Sequence, residues 1–111
     1  MTSAIAFEDF AKVDLRIGTI IEVKDFPKAR HPAYQLKIDF GDLGIKKSSA
    51  QITRQYTKDD LLNRQIVAVV NFPSKQIANF KSECLVLGAV KAKDVVLLRP
   101  EVNVKNGTTV S

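Results

Sequence analysis

The side chains whose types and spacing suit chemistry in this chain are cations, amides and aromatics, gathered in two stretches. One is Phe26-Pro27-Lys28-Ala29-Arg30-His31-Pro32; the other runs from Asn71-Phe72-Pro73-Ser74-Lys75 through Phe80-Lys81-Ser82-Glu83. Lysine and arginine neutralise phosphates or carboxylates, and an exposed phenylalanine stacks on a nucleobase or accepts an apolar side chain. The chemistry on offer is therefore the binding of an anionic or partly apolar chain. Bond-making chemistry lacks an apparatus. His31 is the sole histidine and Cys84 the sole cysteine, and no glycine-rich phosphate loop, nucleophile elbow or metal-ligand cluster accompanies the serines and threonines. The sequence thus predicts no enzyme, no metal and no cofactor.

Composition sets the frame around these stretches. A chain of 111 residues with even composition suits one domain, residues 1–111, with one core. Seventeen Lys and Arg against twelve Asp and Glu give a formal charge of +5, which favours an anionic partner, nucleic acid first. No apolar run approaches the roughly 18 to 20 residues of a membrane span. Met1-Thr2-Ser3-Ala4-Ile5-Ala6 lacks the basic start and apolar segment of a signal peptide. The expectation is a cytoplasmic protein with no membrane insertion. A lone Cys84 in an apolar strand is expected to be a buried, unreactive core residue.

The elements that must position the two stretches follow from periodicity. A short helix is expected from Ser3 or just after it, with Ile5, Phe7, Phe10, Ala11 and Val13 at roughly helical spacing. From Asp14 a long strand places Leu15, Ile17, Ile21 and Val23 on one face, with Gly18 marking a bend or bulge. The proline-bounded basic loop follows. Leu36, Ile38 and Phe40 alternate with polar residues in a second strand, which ends at Gly41-Asp42-Leu43-Gly44, and a third strand covers residues 45–52. Thr57-Lys58-Asp59-Asp60 reads as a capped helix start. Gln65-Ile66-Val67-Ala68-Val69-Val70 reads as a strand buried on both faces, and residues 84–89 read the same way. Between them lies a loop of about ten residues, a length more often functional than idle. Val95-Val96-Leu97-Leu98 is a further strand, and Asn106-Gly107 between Val104 and Val110 suggests a terminal hairpin.

Three strands, a short helix and two strands joined by a long loop is the element order of the OB-fold, a five-stranded Greek-key barrel. The predicted class is all-β with short helices, and with N- and C-terminal extensions to the barrel. Another small β-barrel with an inserted helix has the same order. On an OB-fold the loops after strands one and four flank the binding face, and here those are the two stretches singled out on side-chain chemistry.

Phe10-Ala11-Lys12-Val13-Asp14-Leu15-Arg16-Ile17-Gly18, Ile38-Asp39-Phe40-Gly41, Ser48-Ser49-Ala50-Gln51-Ile52-Thr53 and the segment from Asn71-Phe72-Pro73 to Ser82-Glu83 together resemble the tRNA-binding domain family. The likeness covers nearly the whole chain and is greatest to the CsaA-type export-related chaperones. Synthetase-type members usually carry Val-Ser-Gly-Ile and Ser-Glu-Gly-Met sequences where this chain has Ser48-Ser49-Ala50-Gln51-Ile52 and Ser82-Glu83-Cys84-Leu85. Both departures fall on the face expected to hold RNA and weigh against tight tRNA binding. The resemblance implies a homodimer that binds unfolded precursor proteins and is linked to the secretion translocation ATPase, with tRNA as the alternative partner.

The expected peptide- or tRNA-binding rim combines Lys28, Arg30 and His31 with Lys75 and Lys81 across one barrel mouth. Lys47 and Arg54 extend the basic face. Phe72 and Phe80 supply aromatic surface, although of Phe26, Tyr34, Phe72 and Phe80 at least two are expected in the core. Asn71, Ser82 and Glu83 shape the loop ends, and Arg16 pairs with Asp14 or Glu83. A two-fold dimer is also expected, because residues 5–13 and 102–110 hold more apolar side chains than a small barrel needs outside its core.

Overall fold

The computed structural model describes residues 3–111; the reading of Met1 and Thr2 as part of a leaderless start lies outside them. Helix α1 (Phe7–Ala11) is a single turn and a half. Ala6 has no side-chain acceptor to cap it, so only the reciprocal bond forms, with the Asp9 carboxylate accepting the Ala6 N–H at 3.3 Å. It leaves apolar side chains in solvent: Phe7 is 75% exposed, and Ile5 just before it is 71% exposed.

Strand β1 (Leu15–Asp25) carries apolar residues on both faces because both are covered. Leu15 and Ile17 pack outward against Val67 and Val69 beneath Val104 and Val110, whereas Ile20 points into the barrel. The expected bend at Gly18 is corrected. The register breaks instead between Ile20 and Glu22, which turns Ile21 out to solvent. Gly18 serves close packing: a Cβ there would lie 2.7 Å from the Ile38 and Phe40 side chains.

Strands β2 (Tyr34–Asp39) and β3 (Ile45–Ala50) continue the sheet antiparallel, joined by a 3-10 turn at Gly41–Leu43. Helix α2 (Lys58–Leu61) starts where the sequence predicts. The Thr57 hydroxyl accepts the Asp60 N–H at 3.2 Å and the Asp60 carboxylate accepts the Thr57 N–H at 2.9 Å, and these bonds hold the Asp60 carboxyl below its ordinary pKa. Strand β4 (Gln65–Val69) lies beside β1 and is buried on both faces, as predicted.

The segment after β4 is not a plain loop. It folds into a hairpin of β5 (Lys75–Ile77) and β6 (Phe80–Ser82). Residues 84–89 also depart from prediction: only Cys84 is buried, Leu85 is exposed, and the stretch divides into β7 (Leu85–Val86), paired with β4, and β8 (Gly88–Lys91), paired with β9 (Asp94–Leu97). Both small hairpins turn on an alanine at positive φ, Ala78 at 52° and Ala92 at 54°. The terminal hairpin is likewise corrected. Asn106-Gly107 does turn, but β10 (Thr109–Val110) pairs with β1. Gln65 donates to the Val104 carbonyl at 2.7 Å, Thr19 to the Asn106 side chain at 2.7 Å, and the Gly107 N–H to the Ile17 carbonyl at 2.7 Å.

The main sheet runs β3-β2-β1-β4-β7, with β10 on β1. It curls until its edges β3 and β7 approach, which makes the nearly closed, antiparallel Greek-key barrel of the OB-fold. Ile20, Leu36, Ile38, Phe40, Leu61 and Ile66 fill it. Tyr34 and Tyr56 enter the core because their hydroxyls find partners: Tyr34 donates to the Tyr56 carbonyl at 2.8 Å, and the Tyr56 oxygen accepts the Leu97 N–H at 2.9 Å. Among the described residues no helix is long and apolar enough to cross a membrane.

Candidate ligand-binding groove

The two stretches rich in cations and aromatics meet through their apolar residues. Phe26 and Ala33 from the β1–β2 loop bury against Phe80, with Ala29 and Ile77 at the margin, and the Phe26 and Phe80 rings are tilted at 5.4 Å between centroids. This contact fixes Lys28, Arg30 and His31 on one segment and Lys75 and Lys81 on the other, all five exposed. Among the described residues none of Lys28, Arg30, Lys75 and Lys81 forms an ion pair with a carboxylate. Lys47 lies with its ammonium 5.3 Å from the Phe80 ring centroid, which adds a cation–π attraction to that corner.

Several expected rim residues have other work. Phe80 is corrected to a core residue at 9% exposure, leaving Phe72, at 51%, as the exposed aromatic of the four considered. Arg54 pairs with Asp94 at 3.3 Å, so it adds little free charge. Asn71 is a clamp: its carbonyl oxygen accepts the Asp14 N–H at 2.9 Å and its amide donates to the Lys12 carbonyl at 2.7 Å. Arg16 pairs with Asp14 at 2.6 Å rather than with Glu83.

Ser82 and Glu83 close one end of the gap between β3 and β7. The Ser82 hydroxyl accepts the Ser49 N–H at 3.2 Å, the Glu83 carboxylate accepts the Lys47 N–H at 2.9 Å, and the Glu83 N–H donates to the Lys47 carbonyl at 2.7 Å. Beneath them the buried Ser48 hydroxyl donates to the Cys84 carbonyl at 3.1 Å. Burial pushes the Cys84 thiol up to about 12 against the lowering pull of Lys46, so it stays protonated and a poor nucleophile at neutral pH.

Beyond this closure the gap widens into a groove of about 710 Å³. Ser49, Ala50, Gln51 and Ile52 form one wall, Leu85, Val86, Leu87 and Gly88 the opposite one, and Phe72, Pro73 and Lys75 the lip, with Val90 and Val95 from the second hairpin at the far end. Cys84 and Leu97 also face it. The residue-based reading missed Leu85, Val90 and Val95 as lining residues; the available signal was Gly88, which interrupts an apolar run too long for one short strand. Apolar walls, a polar edge and a cationic lip suit a ligand that is itself a chain with mixed side chains. No group of three or more His, Cys, Asp or Glu gathers to hold a metal among the described residues.

The family model described as "Putative tRNA binding domain" matches residues 15–109. The chain belongs to the tRNA-binding domain family. Among solved structures, this tRNA-binding domain is similar to the chaperone CsaA of Bacillus anthracis, with 57% identity and a TM-score of 0.94 over 98% of this chain and 100% of that one. It is also similar to the CsaA chaperone protein of Picrophilus torridus, with 55% identity and a TM-score of 0.92 over 97% and 100%. The methionine–tRNA ligase of Thermococcus onnurineus is 38% identical over 106 residues, 96% of this chain. The chain spans 14% of that ligase's length. Ser49 to Ile52 and Ser82 to Leu85, within the two stretches expected to differ from synthetase-type members, line the groove.

Proposed function

We propose that this chain is a molecular chaperone, a single non-catalytic OB-fold domain that holds apolar stretches of unfolded precursor polypeptides in the groove between β3 and β7. The carrying observation is the groove itself, with its apolar walls, the exposed Phe72 at its lip and the free cations beside it. Similarity to CsaA chaperones across the full chain supports the same reading. The working unit is a cytoplasmic homodimer that delivers precursors for export, with the translocation ATPase as a partner. Exposed Ile5 and Phe7 on the α1 segment and Val102 near the end of the chain supply apolar surface that a second copy would cover.

A second reading, structure-specific tRNA binding, is favoured by the unpaired Lys28, Arg30, Lys75 and Lys81 and by the methionine–tRNA ligase relatives. One pair of assays separates the two. Light scattering follows the aggregation of a chemically unfolded client, and filter binding follows labelled tRNA across a salt series. The chaperone reading expects suppression of aggregation that Phe72→Ser largely removes and salt barely alters. Tight tRNA retention with a slope of about −0.7 per phosphate contact, without any suppression of aggregation, would replace it with the second reading. Sedimentation at micromolar concentration showing only a 12.3 kDa species would remove the dimer.

A further inference from the structure

The groove has a property that its side chains alone do not convey: its walls begin on the two edges of the main sheet, Ser49 and Ala50 of β3 and Leu85 and Val86 of β7, and continue just past them. An edge strand presents unpaired N–H and C=O groups and invites another strand, and folded proteins cover or charge such edges. Here the edge of β3 is covered only in part. The N–H groups of Lys47 and Ser49 are taken by Glu83 and Ser82 side-chain oxygens, which stand where a neighbouring strand would be. Past Ser49 this cover ends. Gln51 lines the groove, is exposed, and its backbone N–H and C=O make no hydrogen bond to any described residue.

Resting on the peptide-binding reading above, we propose that the groove takes its ligand as an added β-strand, paired through main-chain hydrogen bonds with Gln51. A residue that offers both its N–H and its C=O exchanges two bonds with one residue of an antiparallel partner. Alternate side chains of the added strand then enter the apolar groove while the others face solvent. Charge sets the flank: Lys75 stands at the lip, and Glu83, the acid on the wall, already holds the Lys47 N–H. The ligand class is thus an extended segment with apolar residues at every second position and a carboxylate on the Lys75 side. RNA lacks the amide pattern that Gln51, the residue following β3, would read.

The probe is a fluorescein-labelled peptide of alternating valine and serine ending in two glutamates, titrated with the full chain and followed by anisotropy. N-methylation of single peptide amides leaves side chains in place and removes one donor at a time. The expected pattern is a loss of about tenfold or more at one amide, where the paired Gln51 carbonyl is left unmatched, and less than about twofold at its immediate neighbours. Replacing the glutamates by lysines weakens binding severalfold, and added salt narrows that gap. On the protein side, Gln51→Pro removes the donor and weakens binding, with a thermal melt confirming that the variant folds. A flat N-methyl scan in which Phe72→Ser still weakens binding would overturn strand addition and leave the groove as the site. Indifference to both the scan and Phe72→Ser, or binding of RNA alone, would overturn the groove reading and the strand with it.

Discussion

Opposite sides of the barrel treat their backbone differently. Where β1 runs beside β4, a ladder from Leu15↔Val69 to Thr19↔Gln65 joins the strands, and apolar residues cover both faces. Where β3 approaches β7 there is no ladder; one main-chain bond from Glu83 to Lys47 and side-chain bonds from Ser82, Glu83 and Ser48 join them, and beyond these the wall parts. The first side commits its hydrogen bonds and apolar surface to the fold, while the second holds some of both in reserve. On the proposed reading, stability and recognition fall on different strands, and mutations should separate them.

The largest expected effect tests the closed side. Ile66→Ala removes a fully buried side chain and should cost about 2–5 kcal/mol in urea unfolding, whereas Phe72→Ser should change stability by no more than about 0.5 kcal/mol. Equal losses would erase the contrast. Next comes Gly18→Ala, whose added carbon meets Ile38 and Phe40 at 2.7 Å; overpacking should cost roughly 1–3 kcal/mol, read as a lowered melting temperature. Glu83→Ala leaves the Lys47 N–H without its acceptor, and roughly 1–2 kcal/mol should be lost. Hydrogen exchange at Lys47 and Ser49 should quicken in that variant while β1 and β4 stay protected, which sharpens the contrast between a laddered side and a seam closed largely by side chains.

The effect at Cys84, beneath the seam, is confined to alkaline pH. Its thiol is raised from 9.0 to about 12 by burial, so the neutral thiol contributes stability that is fully present below pH 9.0. As pH rises from 9.0 toward 12 the unfolded chain's thiol ionises first, and that contribution is lost. Stability relative to Cys84→Ala should therefore fall over that interval and stay constant below it, as denaturant midpoints would report. In the native state at neutral pH a thiol reagent should label Cys84 slowly; rapid labelling would mean that the groove floor opens.

Strong local signals carried most of the fold into the sequence. The Thr57–Asp60 capping box, the alternation of Leu36, Ile38 and Phe40, and the β-branched run from Ile66 each state an element from side chains a few residues apart. What escaped depends on distant partners. Gly18 looks like a bend until Phe40 is seen against it. Residues 104–110 look like a hairpin because nothing local reveals that β1 has a free flank. The β5–β6 hairpin has strands of three residues, too short to display alternation. For the site, the basic and aromatic stretches were legible as chemistry. Which aromatic is exposed was not, since Phe72 and Phe80 share residue type and differ only in whether Phe26 lies across them. The groove's far wall was hidden for a related reason: Val90 and Val95 look like ordinary strand residues until the second hairpin is placed beside β7.

Ala78 and Ala92, each at positive φ, sit at the tips of the two hairpins that bound this groove. A left-handed conformation costs an L-residue about 1–2 kcal/mol, and glycine would relieve it at the expense of roughly 0.5–1 kcal/mol in unfolded-chain entropy. Each tip thus holds strain that glycine would release, so Ala78→Gly and Ala92→Gly should each leave the stability of the fold unchanged or raise it by up to roughly 1.5 kcal/mol.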